Sequence, residues 1–318
     1  MRDASPAPWF SSEAVMMRDS GKSVSSRILK KANPGASTYQ YLTPESAGWD
    51  LLHCEGRRLI KGERFSIETA EHEYALVLFG GTCAVRYPGG SWDRVGRRPN
   101  VFAGMPYAMY FSRHTSFEIL ATSDLLDIGF ARCPTDQDHP PRLVTPEQVS
   151  VEIRGAGNAT RQINSLLPPG FDCHRLVAVE VFTPAGNWSS YPPHKHDVHR
   201  TDSRGTVLEA DLEEIYFYKI DKPEGFAVQR VYTDDRRLDE VVVAHNDDIV
   251  LVPEGHHPVA AAHGYNVYYL NFLAGSAQSL ASTDDPEHAW IKGTWKEKDP
   301  RVPMVSLEME KEVERIKK

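Results

Sequence analysis

No stretch of this 318-residue sequence approaches the roughly 20 consecutive apolar residues that a membrane-crossing helix needs. The longest apolar runs, Tyr74–Phe79 and Ile249–Val252, have the length of strands. Excess positive charge is also missing: the formal net charge of −8 argues against nucleic acid or an anionic membrane as partner, since both call for a basic surface. A small anionic substrate stays open, because a few arginines can locally oppose the global sign. Cysteine is scarce, and Cys54, Cys83, Cys133 and Cys173 form no C-x-x-C pair. That leaves neither a disulfide framework nor a zinc knuckle and fits the reduced thiols of a cytoplasmic protein. The amino terminus has no apolar core after its first charges, and Asp3, Glu13 and Asp19 are foreign to a transit peptide. Long helical periodicity is lacking too. Only Val305 to Lys318 spaces Glu and Lys as one exposed helix would, which predicts a surface or partner-docking tail.

What the chain has instead is short strand-like runs broken by Gly, Pro, Asn and Asp. They include Phe65–Glu68, Tyr74–Phe79, Thr82–Tyr87, Phe117–Ala121, Val177–Phe182, Ile215–Tyr218, Phe226–Tyr232, Ile249–Val252 and Val267–Phe272. Such runs predict an all-β protein of the sandwich or barrel kind. They fall into two sets around a Pro- and charge-containing stretch, Cys133 to Gln148. Gly62-Glu63 before Tyr74–Phe79 matches Gly186 before Ile215–Tyr218, and Met105-Pro106 is set against Pro253-Glu254-Gly255. A duplicated barrel accounts for this. The expected organisation is a mobile extension over 1–37, a first barrel over 38–143, a second over 144–292 and a tail over 293–318.

Candidate chemistry concentrates in the second half. In Pro192-Pro193-His194-Lys195-His196-Asp197 the two imidazoles share one face of a strand, a spacing that suits two ligands of one ion. Glu213 and Glu214 precede the aromatic strand Ile215-Tyr216-Phe217-Tyr218 and offer a carboxylate. Glu214 is preferred, because alternation then turns Tyr216 and Tyr218 towards the metal and Ile215 and Phe217 into an apolar layer. The turn Pro253-Glu254-Gly255-His256-His257-Pro258 can swing one His into the barrel mouth. Three imidazoles and a carboxylate suit a divalent transition metal and leave positions for substrate. Zinc is the first expectation, with manganese or iron as alternatives.

Gly, His-x-His, Glu, then Pro-x-Gly and His resembles the cupin superfamily of small jelly-roll β-barrels. Whole segments are similar to the 5-deoxy-glucuronate isomerase family: Thr43 to Trp49, Gly186 to Tyr191, Gln229 to Asp235 and Gly264 to Asn271. The resemblance covers roughly residues 38 to 292. It implies a bicupin with one metal site, in the second cupin, and an aldose–ketose isomerase turning 5-deoxy-D-glucuronate into 5-dehydro-2-deoxy-D-gluconate in myo-inositol degradation. It also makes His257 the last ligand, since the family usually has an aromatic residue where His256 stands. The first cupin, with scattered His53, His72 and His114, is expected to hold no metal. Two departures stand out. Asp197 to Leu212 is a long insert, either a lid or a plain surface loop, and Ala261 replaces the Asn of the generic pattern.

The implied substrate carries an aldehyde, a neighbouring hydroxyl, a methylene and a carboxylate. Isomerisation with a general base leaves Glu213, His199 and His245 as candidates, while a hydride shift would need none. For the carboxylate, Arg230 comes first, sharing a strand face with Tyr232, and Arg161 second. Tyr191, Tyr232 and Tyr269 could bond sugar hydroxyls. A homo-oligomer is left open. The rival readings are a metal-dependent dioxygenase and a non-catalytic sugar-binding bicupin.

Overall fold

The computed structural model describes residues 26–316. Its architecture is that of a bicupin, two barrels each made of a large and a small antiparallel sheet. In the first barrel the large sheet runs Arg142–Val144, Ala108–Phe111, His72–Gly80, Leu125–Pro134, His53–Ile60, Thr38–Leu42. Its small sheet runs Arg64–Glu68, Ser116–Ala121, Cys83–Tyr87, Gly90–Val95. The second barrel repeats this order with Leu29–Lys30, Ile249–Val252, Leu212–Ile220, Val267–Gly275, Val177–Thr183, Arg161–Leu167 and Ser150–Arg154. Its small sheet is Trp188–Ser189, Val259–Ala261, Ala227–Tyr232, Asp239–Ala244. No helix among the described residues is long and apolar enough to cross a membrane.

Both leader strands are exchanged. Leu29–Lys30, ahead of the first barrel, pairs with Ile249 and Val250 of the second. Arg142–Val144, ahead of the second, pairs with Ala108 to Tyr110 of the first. Of the extension expected over 1–37, residues 1–25 lie outside the described residues, while Ile28 is buried and its neighbours Leu29–Lys30 form a sheet edge. The repeat needs one correction as well. The counterpart of Pro253-Glu254-Gly255 is the turn at Ser112 to His114, because each follows the equivalent strand, whereas Met105-Pro106 precedes it.

The large sheets face each other across one continuous core. Phe79 and Phe217, one from each barrel, meet edge to face at 5.0 Å. Gly56 makes this approach possible, since a Cβ there would sit 2.5 Å from the Phe217 ring. Polar groups at the boundary are paired: Arg98 and Glu180, both buried, are 3.0 Å apart, and Lys219 reaches Asp127 and Asp247 at 2.7 Å each. The interior of the first barrel is a separate apolar cluster. There Phe111 and Phe117 stack at 4.1 Å with Trp92 and Tyr74 beside them.

The expected exposed tail is a docked one. Leu307–Ile316 is helical, but Val305 is buried, Gln162 bonds the backbone on both sides of Met304–Val305, and Glu310 accepts from Met105 N at 2.6 Å and pairs with Arg97.

Candidate metal centre and cavity

The site lies in the mouth of the second barrel. Alternation along Leu212–Ile220 sends Glu214 and Tyr216 inward and Phe217 into the layer between the barrels. Gly255 sets the turn that delivers His257: it takes φ 90°, where an L side chain is strained, and a Cβ would lie 2.5 Å from Tyr232 O. His257, His196 and Glu214 are buried and offer ligand atoms within 4.8 Å of one another. The His194 ring stands beside them, 4.8 Å from the His257 ring. His256 faces away, its Nε2 3.0 Å from Asp234 and its ring against Tyr232.

The donor chemistry fits a cation. Each imidazole gives its Nδ1 proton to a backbone carbonyl: His194 to Pro192 at 3.2 Å, His196 to Leu212 at 3.0 Å and His257 to Gly255 at 2.8 Å. The Nε2 atoms of His196 and His257 are thereby turned towards Glu214, the kind of arrangement by which ligating imidazoles are oriented. His257 Nε2 lies 3.3 Å from Glu214 Oε2 yet has no hydrogen-bond partner. Two acceptors facing at that distance call for positive charge between them. Burial, the largest influence, pushes His194 and His257 down to about 3, so both are neutral at ordinary pH. Burial also works to lower His196, but the Glu214 carboxylate at 3.0 Å outweighs it and the net direction is up.

A cavity of about 490 Å³ opens above this group. Ser190, Tyr216 and Tyr269 line one side with linked hydroxyls: Ser190 Oγ is 2.8 Å from Tyr216 Oη and 3.3 Å from Tyr269 Oη. Ser190 takes φ 48°, a left-handed conformation uncommon for serine, which fits a residue held for its side-chain direction. Tyr191 and Arg161 also line the cavity. Arg161 is buried, and its Nη1 donates to Ala159 O at 3.2 Å and Tyr191 O at 2.9 Å. Burial lowers its pKa to about 10, which leaves it charged. Arg154 and Lys292, the other cations of the lining, are paired with Glu152 and Asp284. Among the described residues Arg161 is the one cavity cation without a carboxylate partner.

Several expected residues lie elsewhere. Arg230 forms a two-pronged pair with Asp239, both bonds 2.7 Å, on the outer face of the small sheet. Tyr232 does share that face, under the Arg230 guanidinium at 4.4 Å, and gives its hydroxyl to Asp285 at 2.6 Å rather than to the cavity. Glu213 accepts from the backbone N–H groups of Asp50, Leu51 and Leu52 at 2.6 to 3.0 Å, so it belongs to the barrel boundary. His199 bonds Ser276 at the surface, and His245 bonds Gly225 O. None of the three candidate bases lines the cavity. The insert folds outward, Arg200–Thr201 pairing with Val207–Glu209, and from Asp197 to Leu212 only Leu212 reaches the cavity wall. The covering segment is the later one, with Leu280, Ser282, Asp284, Lys292 and Trp295, so the second domain's wall runs past residue 292. Tyr216 was readable from strand alternation. Ser190 and Trp295 carried no pattern that marks a site.

Comparison with known proteins agrees with this architecture. Residues 27–291 match the KduI/IolB family. The 5-deoxy-glucuronate isomerase of Geobacillus thermodenitrificans is 44% identical over 251 residues, 79% of this chain and 89% of that protein. That of Bacillus subtilis strain 168 is 37% identical over 246 residues, 76% of this chain and 89% of its own. Among solved structures, an IolB-like protein from Salmonella typhimurium LT2 superposes with a TM-score of 0.80 at 36% identity, covering 84% of this chain and 99% of that one. Lactobacillus farciminis oxalate decarboxylase, at 10% identity and a TM-score of 0.58, covers 79% of this chain and 87% of its own and shares the fold. The chain belongs to the KduI/IolB family.

Proposed function

We propose that the enzyme is a cytoplasmic 5-deoxy-glucuronate isomerase acting in myo-inositol breakdown, with one divalent ion per chain, zinc first, held by His194, His196, Glu214 and His257. The observation that carries the ion is the convergence of His196 Nε2 and His257 Nε2 on Glu214 Oε2, at 3.0 and 3.3 Å, with His257 Nε2 left without a partner. The reaction is supported by the relatives, which bear this activity by name at 37 to 44% identity over most of their length.

A bound ion would supply Lewis-acid polarisation of the substrate's carbonyl oxygen. The chain's own residues do the rest. Arg161 holds the far carboxylate, its Nε and Nη2 having no protein acceptor among the described residues. Tyr191 and the apolar Val179, Val181 and Leu273 shape the wall and exclude water. Isomerisation must move one hydrogen from C2 to C1 and one proton from O2 to O1. The linked hydroxyls of Ser190, Tyr216 and Tyr269 are placed to hold and hand on the oxygen-borne proton. The first barrel contributes no metal chemistry in this reading: Tyr74 stands at the register position of Glu214, and aromatic rings fill the space where an ion would sit.

Incubation with 5-deoxy-glucuronate, followed by NMR, tests the proposal. The aldehyde signal should give way to a ketone, elemental analysis should find about one ion per chain, and an unchanged spectrum with metal-replete enzyme refutes it.

A further inference from the structure

His196 and His257 reach Glu214 from segments far apart in the chain, with their ring centroids 5.0 Å from each other. Each segment has its own anchor. Leu212 N donates to His196 O at 3.0 Å, which ties the first segment to the start of the Leu212–Ile220 strand. The His256 backbone exchanges N–H···O bonds of 2.8 and 2.9 Å with Tyr232, which ties the second to the small sheet. Neither anchor sets the separation between the two segments.

Asp197 makes that link. Its Oδ1 accepts from Gly255 N at 2.7 Å, and among the described residues this is the one hydrogen bond joining 194–197 directly to 253–258. One end of it stands next to His196 in the chain. The other end is the residue whose carbonyl takes the His257 Nδ1 proton at 2.8 Å. Gly255 is thus held at both its polar groups, its N–H by the neighbour of one imidazole and its carbonyl by the other imidazole. A bond from N–H to a carboxylate is charge-assisted and roughly twice as strong as a neutral one. Asp197 is half-buried and does not line the cavity, so its influence passes through the imidazoles. Asp234 forms an outer clasp on the same segments, pairing with Lys195 and, at 3.0 Å, with His256 Nε2. That residue is exposed, and water and salt weaken such pairs.

We propose that Asp197 is a positioning residue: by holding Gly255 N–H it sets the spacing of the His196 and His257 imidazoles, and with it the affinity of the site for a divalent ion. This deepens the one-ion reading and rests on it. The first residue of the insert thus serves the site, while the hairpin of Arg200–Thr201 with Val207–Glu209 folds outward.

The test is zinc titration of the metal-free, full-length chain against a chromophoric chelator. Asp197→Ala should bind zinc about 10- to 100-fold more weakly than the wild type. Asp197→Asn, which keeps an oxygen for Gly255 N–H, should return to within about fivefold. Asp234→Ala should lose less than about threefold. The visible bands of the cobalt(II) form, which report the ligand arrangement, should change in Asp197→Ala and match the wild type in Asp197→Asn. Wild-type zinc affinity in Asp197→Ala overturns the proposal. Equal weakness in the Asn and Ala variants would show an effect of charge alone, and equal weakness in Asp234→Ala would show loops that simply loosen together; either overturns it. If Asp197→Ala does not fold, Asp197→Glu decides, since it keeps the charge and moves the acceptor by one methylene. Weaker zinc binding with altered cobalt bands then supports the proposal, and wild-type affinity overturns it. A wild-type chain that binds neither zinc nor cobalt sinks the one-ion reading and this inference with it, whereas tight binding shared by wild type and Asp197→Ala sinks this inference alone.

Discussion

Glu73 and Glu213 make the same contact in opposite directions across the boundary between the barrels. Each is the second residue of equivalent strands, His72–Gly80 and Leu212–Ile220. Glu73 accepts from the N–H groups of His174, Arg175 and Leu176, at 2.7 to 3.0 Å, just before Val177–Thr183. Glu213 does the same for Asp50, Leu51 and Leu52, just before the matching strand His53–Ile60. Each barrel thus holds the first turn of its partner with a carboxylate.

Removing either carboxylate strands backbone donors at a buried boundary. Glu73→Ala should cost on the order of 3 kcal/mol in denaturant unfolding, and Glu213→Ala roughly half that, because Asp50 is exposed. Both variants should keep their kcat at temperatures where they stay folded. A Glu213→Ala enzyme of normal stability and lost turnover would instead return that residue to catalysis.

Loss of one inward imidazole should remove ion and activity together. His196→Ala is expected to lower bound metal at least tenfold, with kcat falling in proportion, as read by elemental analysis beside the rate. Full turnover by a metal-free variant would end the proposed chemistry.

The two arginines separate binding from surface pairing. Arg161→Ala should raise KM for 5-deoxy-glucuronate by about 10- to 100-fold, the worth of a charge-assisted contact, with a smaller effect on kcat. Arg230→Ala should change KM less than about twofold and cost under about 1 kcal/mol, because its bond to Asp239 is exposed. The reverse ranking would put the carboxylate on the outer sheet.

Asp247 ties stability to acid pH. Burial works to raise its pKa, but Lys219 at 2.7 Å and Arg58 at 2.6 Å prevail and hold it below the ordinary carboxylate range. A carboxyl lowered on folding stabilises while ionised. Its contribution is full above the unfolded value near about 4 and is lost as pH falls through the lower folded one. Asp247→Asn should therefore be less stable at neutral pH and lose less on acidification, as followed by melting temperature from about pH 6 to 3. Parallel curves for the two proteins would remove Asp247 from the acid response.

Strand positions were legible as short apolar runs: those at Ile215–Tyr218, Ile249–Val252 and Val267–Phe272 lie within observed strands and are buried on both faces. Strand alternation separates Glu214 from Glu213. It could not say which face of a sheet looks inward, and so Arg230 and Tyr232 share a face as expected, but the outer one. Arg161 gave a weaker signal at a strand start, and its value comes from what is not beside it. Trp295 lies in a segment without periodicity, and only the folded path of residues 280–298 brings it over the mouth.

The exchanged leader strands bear on how the chain can be divided. Residues 26–30 finish the sheet of the second barrel, and 142–144 finish that of the first. A cut ahead of Arg142 produces fragments that each lack their own last edge, and a cut after Val144 still strips the second barrel of Leu29–Lys30, leaving the Ile249–Val252 ladder open to any passing strand. The second barrel is thus not a portable module. To isolate it, an engineer would have to graft the opening residues onto its far side, or supply them as a separate peptide.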